Sequence, residues 1–308
     1  MINTLFIFIV SLFLVIRGST LATKYAAMVA SNFHLSKYTV GFIVVAIISI
    51  LPETFISINA ALAGIPSFGL GMLFGSNIAD LTLIFAIIIW VAGRGLKVES
   101  KILKNHSTYP FLLLLPLILG FDGHFSRLEG LALVIAGGIF YYISFKRGAE
   151  SKAASNSQAN KKSIIMLVFS MIILLVGSHF TVDSASQLAR YLGVSPILVG
   201  MLVVGIGTTM PELFFSLKSV RKRDDSLAIG DILGTVLADA TIVVGILALI
   251  NPFSFPVKII YITGIFMVIS SFALFRFMRS GRTISKKEAY TLFVFWLIFI
   301  IVEFFANQ

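Results

Sequence analysis

The chain of 308 residues contains no cysteine, and that absence closes off several chemistries at once. Disulfides, thiolate metal centres, iron–sulfur clusters and cysteine nucleophiles are excluded, and cysteine usage gives no reading of the redox compartment. Charge is the second scarcity. Only 12% of residues are Asp, Glu, Lys or Arg, about half the share found in ordinary soluble domains. Histidine is scarce too, limited to His34, His106, His124 and His179. A bound metal would therefore be held mainly by oxygen, which favours hard cations such as calcium or magnesium.

What the chain has in abundance is apolar surface. Hydrophobic residues make up 58% of it and the mean hydropathy is +1.00, a composition that excludes a soluble globular enzyme. The formal net charge of +10 would suggest a nucleic-acid partner in a soluble chain. In a membrane chain it is the expected excess of Lys and Arg in cytoplasmic loops, so no nucleic acid is expected and the lipid bilayer is the partner. The apolar run Leu5 to Ile16 has no basic residue before it and Arg17 directly after. That charge order is wrong for a cleaved signal peptide, so the run is read as a first transmembrane helix with its N-terminus outside.

A span needs about 20 mostly apolar residues. Ten segments qualify, at 2–31, 38–63, 68–93, 107–121, 127–145, 163–190, 197–220, 226–251, 256–276 and 288–305. With the N-terminus outside, the inner loops hold eighteen basic residues, from Lys37 through Arg94, Lys97, Lys101, Lys104, Lys146, Lys152 and Arg221 to Lys287. The outer connections hold three, Arg127, Arg190 and Lys258. The asymmetry satisfies the positive-inside rule and puts both termini outside a multi-pass protein of the cell membrane. The one linker of soluble composition, 148–160, is rich in Ser, Ala and Asn and follows the fifth span. It separates a first five-helix unit, 1–147, from a second, 161–308, and is expected to be cytoplasmic.

The two units are related. At an offset of 159, Gly18-Ser19 falls on Gly177-Ser178, Gly41 on Gly200, Pro52-Glu53 on Pro211-Glu212, Gly71 on Gly230, Gly75 on Gly234 and Ala79-Asp80 on Ala238-Asp239. About 20 of the 70 positions from 18 to 87 are identical. Each unit has an odd number of spans, so the second must enter the membrane from the opposite side. The expected fold is all-α and integral to the membrane, with ten transmembrane helices arranged as two inverted five-helix repeats. Such repeats place substrate and coupling-ion sites at their interface near the midplane, commonly on broken helices.

Four acids lie deep in the spans: Glu53, Asp80, Glu212 and Asp239. Each costs roughly 2.5–3.5 kcal/mol on insertion scales, so the four together would forfeit on the order of 10 kcal/mol if they faced lipid. No Lys or Arg lies at comparable depth, which leaves bound cations or protons as counter-charges. The surroundings suit oxygen coordination. Ser49 precedes Glu53 by four residues and Ser76 precedes Asp80 by four. Thr208 and Thr235 stand likewise before Glu212 and Asp239, so each hydroxyl shares a helix face with its carboxylate. Pro52 and Pro211 deprive the carbonyls of Ile48 and Gly207 of their usual partners, freeing the backbone nearby to turn toward an ion. Gly71 and Gly75, like Gly230 and Gly234, read as close helix-packing positions.

These residues resemble the two alpha repeats of the cation/calcium exchanger superfamily, in particular its prokaryotic Na⁺/Ca²⁺ exchanger branch. The first repeat matches through Ser49-Ile50-Leu51-Pro52-Glu53 and Gly75-Ser76-Asn77-Ile78-Ala79-Asp80. The second matches through Gly207-Thr208-Thr209-Met210-Pro211-Glu212 and Gly234-Thr235-Val236-Leu237-Ala238-Asp239. The resemblance implies antiport of calcium against Na⁺ or H⁺ by alternating access as helices one and six slide, with no cofactor and no enzymatic activity. It also implies the ligands: Glu53 and Glu212 for calcium, Ser49, Ser76, Thr208, Thr209 and Thr235 as hydroxyl ligands, and the backbone carbonyls of Ala46 and Gly205. A monomer is expected.

Three departures from the family pattern bear on the coupling ion. Ile50 stands where a Na⁺-coupled member has a hydroxyl. Asp80 stands where many members have Asn, and four carboxylates would overcharge one divalent site, so at least one aspartate is expected to carry a proton. Met72 and Asp231 replace a polar residue often found after the first Gly of the third and eighth spans. Asp231 reads either as an access-side cation contact or as a solvated acid. The first two departures lean toward protons, whereas the Pro-Glu motifs and ten-span layout lean toward sodium, which is the preferred driving ion. Three other classes compete: an intramembrane aspartyl protease using Asp80 and Asp239, a helical scaffold or sensor, and a channel. The first leaves the duplicated glutamates without a role, the second leaves the duplicated acids unexplained, and the third predicts flux without a counter-ion.

Overall fold

The computed structural model describes residues 1–30, 42, 45–99, 109–148 and 161–306. His34, Gly41, His106, the basic residues Lys37, Lys101, Lys104 and Lys152, and the linker beyond Gly148 lie outside the described residues. Helices account for nearly all of the rest: α1 Ile2–Ala30, α2 Ala46–Leu62, α3 Pro66–Ala92, α4 Tyr109–Leu119, α5 Arg127–Gly148, α6 Lys161–Leu192, α7 Pro196–Arg221, α8 Asp225–Ile250, α9 Ile259–Arg279 and α10 Lys286–Ala306. Among the described residues, eight are long and apolar enough to cross a membrane, and α2 and α4 are shorter apolar helices.

Local sequence explains where several helices begin and end. Ser126 and Ser285 open α5 and α10 with a capping box. In each, the serine hydroxyl accepts from the Glu N–H three residues on (3.3 Å), and that Glu carboxylate accepts from the serine N–H (2.7 Å). Ser195 caps α7 ahead of Pro196, accepting from Ile197 N–H at 3.3 Å. Left-handed Gly93 and Gly193 stop α3 and α6.

The offset of 159 holds in three dimensions. Helix α2 is interrupted at Ile50 and α7 at Thr209, its counterpart. A wide, π-type turn spans Asp80–Ile84 in α3 and recurs at Asp239–Val243 in α8. The capping boxes at Ser126 and Ser285 obey the same relation. Four two-residue strands join the halves: β1 Leu96–Lys97 pairs with β4 Thr283–Ile284, and β2 His124–Phe125 pairs with β3 Phe253–Ser254, both antiparallel. Strands β1 and β4 are separated by six helices, β2 and β3 by four, so each pair closes on one face of the membrane. A single helix separates β1 from β2, so the two pairs close on opposite faces. Each half thus contributes one strand to each face, as inverted repeats require.

Helices α2, α3, α7 and α8 form the centre, with α3 against α7 and α8 against α2. In their most apolar stretches 94% of α3 and 83% of α8 are buried, against 22% of α5 and of α10, so the latter two present their side chains to lipid. Helix α1 lies along α6, where Gly18 meets Leu174 and its counterpart Gly177 meets Val15. Among the described residues, an ion pair ties the halves together at the start of α8. Arg94 grips Asp225 through both guanidinium nitrogens (2.6 and 2.7 Å), and Lys97 N–H donates to the same carboxylate at 2.9 Å.

Candidate cation site

The breaks in α2 and α7 follow from proline. Pro52 and Pro211 have no N–H to offer the carbonyl four residues back, and the preceding Ile50 and Thr209 take ψ values of −2° and −4°, outside the helical range. Each helix then starts a fresh segment, with Glu53 and Glu212 in its first turn, where unpaired backbone N–H groups favour a carboxylate. Both glutamates are buried, as are Asp80 and Asp239.

The two aspartates open the wide turns of α3 and α8. Thr82 and Thr241 stand within those turns and donate back to the carbonyls of Ile78 and Leu237 (2.5 and 2.6 Å), taking up hydrogen-bonding capacity that the wider spacing disturbs. One turn earlier, glycine brings the halves together backbone to backbone. A Cβ at Gly75 would lie 2.3 Å from Met201 O, and one at Gly234 would lie 2.4 Å from Phe42 O. Met201 and Phe42 are themselves repeat counterparts.

The acids of the two halves meet at this junction. Asp80 and Glu212 both lie within electrostatic reach of Glu53, and Asp239 lies within reach of Glu53 and Asp80. Thr208 donates to Gly205 O at 3.0 Å and stands within hydrogen-bonding reach of the Glu53 carboxylate in the other half. Ser76 donates to Leu73 O (3.0 Å) and Thr209 to Ile206 O (2.9 Å). The carbonyls of Ala46 and Gly205 accept from Ile50 N–H (3.0 Å) and Thr209 N–H (3.2 Å), and a carbonyl oxygen keeps a second lone pair.

Seven of the eight oxygens of Glu53, Asp80, Glu212 and Asp239 are buried without a hydrogen-bond partner among the described residues, as is Thr235 Oγ1. Buried polar atoms are ordinarily paired, so such a concentration points to a ligand. No three acids or histidines among the described residues are grouped so as to hold a metal by themselves. A cation here would need the hydroxyls and carbonyls as well as the carboxylates, in keeping with the six to eight oxygens that calcium takes.

Besides Asp225, which Arg94 holds, two further buried acids among the described residues fall outside the expected quartet. Asp231 has no exposed surface, which removes the solvated reading, and its Oδ1 accepts from Ser49 Oγ at 3.2 Å. Its spacing of four residues from Thr235 was the available signal. Glu303, near the end of α10, is also buried and accepts from Thr263. An acid in the last apolar run was its only trace in the sequence. Of the described histidines, His124 pairs in β2, and His179 lines a cavity of about 440 Å³ with Asn59, Asp183 and Arg190.

Two inverted five-helix halves that close on buried, unpartnered oxygens define a helical membrane transporter. The chain belongs to the sodium/calcium exchanger protein family, whose model matches it twice, at residues 3–146 and 162–305. It is 25% identical to the sodium/calcium exchanger MaX1 of Methanosarcina acetivorans, over 97% of this chain and 98% of that one. It is 28% identical to the inner membrane protein YrbG of Escherichia coli, over 79% of each chain. Among solved structures it resembles the sodium-calcium exchanger NCX_Mj, with a TM-score of 0.74, 25% identity and coverage of 97% and 98%. It shares the fold of the H⁺/Ca²⁺ exchanger CAX, with a TM-score of 0.80, 17% identity and coverage of 97% and 86%. The family is one of membrane transporters rather than enzymes.

Proposed function

We propose that the protein is a secondary antiporter that exchanges Ca²⁺ for Na⁺ by alternating access. The carrying observation is the meeting of both halves' carboxylates, Glu53 and Glu212 with Asp80 and Asp239, in a place where nearly all their oxygens are buried and unpartnered. In this reading Glu53 and Glu212 are the calcium ligands. Ser49, Ser76, Thr208, Thr209 and Thr235 supply hydroxyls, and Ala46 and Gly205 supply carbonyls. The halves are 1–147 and 161–308, joined by a cytoplasmic linker at 148–160, with both termini outside the cell membrane and the chain working as a monomer.

Ile50 in place of a hydroxyl, together with the second aspartate at Asp80, favours a second reading in which protons drive the exchange. One experiment separates the two. Purified protein is reconstituted into vesicles loaded with ⁴⁵Ca²⁺, and efflux is driven by an inward Na⁺ gradient or by a proton gradient. Efflux that requires Na⁺ supports the proposal, efflux driven by protons alone supports the second reading, and efflux with no counter-ion overturns antiport. Asp80→Asn and Ile50→Ser, measured in the same assay, test whether those two positions set the counter-ion.

A further inference from the structure

A buried phenol needs an acceptor for its O–H, and two tyrosines of the first half find theirs on α8. Tyr109, at the start of α4, donates to Leu233 O at 2.7 Å, and Tyr141, in α5, donates to Gly234 O at 2.6 Å. Both side chains are buried. Their rings are seated as well: Tyr109 stacks on Phe275 with centroids 5.2 Å apart, and Tyr141 lies 5.4 Å from Phe42. Phe42 O is also the atom that a Cβ at Gly234 would strike, so Gly234 is held at its carbonyl and crowded at its Cα.

The repeat does not copy this arrangement. At the offset of 159, Tyr109 falls on Val268, Tyr141 on Ile300, and the carbonyls of Leu233 and Gly234 on those of Phe74 and Gly75. Valine and isoleucine carry no hydroxyl, so these two positions cannot return the same bonds to α3. The difference matters through its place on the chain. Gly234 directly precedes Thr235, whose hydroxyl is buried and unpartnered among the described residues, and stands five residues before Asp239, which opens the wide turn. Tyr141 lies within electrostatic reach of Asp239. The two halves thus bring equivalent ligands to the junction on unequally anchored helices.

We propose that Tyr141 and Tyr109 are positioning residues that set ion selectivity by size. By holding the backbone at Leu233 and Gly234, they fix how far Thr235 and Asp239 reach into the junction, at a spacing suited to calcium rather than to the larger barium ion. The inference rests on reading the junction as a divalent-cation exchange centre. Selectivity among hard cations depends on cavity size and on how far the ligands can yield. A carbonyl keeps a second lone pair when its helical bond is made, so the phenols add their bonds without breaking α8. Without them α8 can draw back and accept a larger ion, while the closer contacts with calcium are lost.

The test compares the purified full chain with Tyr141→Phe, which removes the hydroxyl and keeps the ring against Phe42. Bound ⁴⁵Ca²⁺ is displaced at equilibrium by unlabelled calcium or by barium, and the ratio of the two half-displacing concentrations is the readout. The barium-to-calcium ratio should fall about threefold to tenfold in Tyr141→Phe, the scale of one lost hydrogen bond, and Tyr109→Phe should shift it in the same direction. A purely structural tyrosine would weaken both ions by one factor and leave the ratio unchanged, a result that overturns the proposal. So does an equal shift in Tyr142→Phe, where the neighbouring ring is exposed. Should Tyr141→Phe fail to fold, an unchanged ratio in Tyr109→Phe overturns the proposal by itself. Displacement needs no transport. A ratio that falls in these variants of a protein unable to exchange calcium for a counter-ion sinks the antiport reading alone, and normal exchange with an unchanged ratio sinks the tyrosine clamp alone. Wild type that binds no calcium overturns both.

Discussion

Glu53 and Glu212 combine two properties that seldom coincide: each is buried, and each opens a helical segment after a proline. The helix N-terminus favours the carboxylate, but the burial of several like charges opposes it unless a cation is present. Removing either charge should therefore act in two directions. Glu53→Gln or Glu212→Gln should weaken calcium binding by roughly tenfold to a hundredfold, measured as calcium-dependent thermal protection or ⁴⁵Ca²⁺ flux. The same variants should melt no lower than wild type in the absence of divalent ions, because a buried neutral amide costs less than a buried charge. A purely structural role would lower the ion-free melting temperature instead. Thr208→Val should weaken calcium binding less than Glu53→Gln does, and Thr208→Ser should restore it, since the hydroxyl is the group that reaches Glu53.

Helices α3 and α8 can hold Asp80 and Asp239 at the junction because glycine lets a backbone from the other half approach one turn earlier. Gly75→Ala or Gly234→Ala would place a methyl group 2.3 or 2.4 Å from a carbonyl oxygen. Each should cost about 1–3 kcal/mol by overpacking, read as a lower melting temperature and a loss of calcium binding. Gly138→Ala is the control, since a Cβ there meets nothing within 4 Å and alanine favours helix; its melting temperature should not fall. The wide turns offer a second test. Thr82→Val and Thr241→Val remove the hydroxyls that serve Ile78 and Leu237 carbonyls, and each should reduce calcium binding more than it reduces stability if the turn's purpose is to present the neighbouring aspartate.

For the whole molecule the strongest expectation concerns sidedness. The chain has no cysteine, so single introduced thiols report without background. His124 and Thr283 are repeat counterparts, yet they sit in strand pairs on opposite faces. His124→Cys and Thr283→Cys should therefore react with a membrane-impermeant thiol reagent from opposite sides of sealed vesicles, the former from outside. The double variant Lys97→Cys, Thr283→Cys joins positions that face each other in β1 and β4 and should cross-link, whereas His124→Cys with Thr283→Cys should not. Labelling of His124→Cys and Thr283→Cys from the same face would overturn the inverted arrangement.

Much of this was legible in the chain because its signals are periodic and local. Apolar runs of spanning length, the offset of 159 and the proline before each glutamate follow from short-range chemistry: the bilayer demands satisfied backbone groups, and proline removes one donor wherever it stands. The sequence alone therefore determined ten spans, the duplication and the four acids. It could not show that the helices widen at Asp80 and Asp239, because a π-type turn depends on packing from the other half as much as on the residues within it. Nor could it choose between a solvated and a buried Asp231. That depended on whether α8 turns this residue toward Ser49, 182 positions earlier in the chain. Only the tertiary structure, by bringing those two side chains within 3.2 Å, turned an ambiguous acid into part of the polar centre, because burial belongs to a residue's neighbours in space rather than to the residue itself.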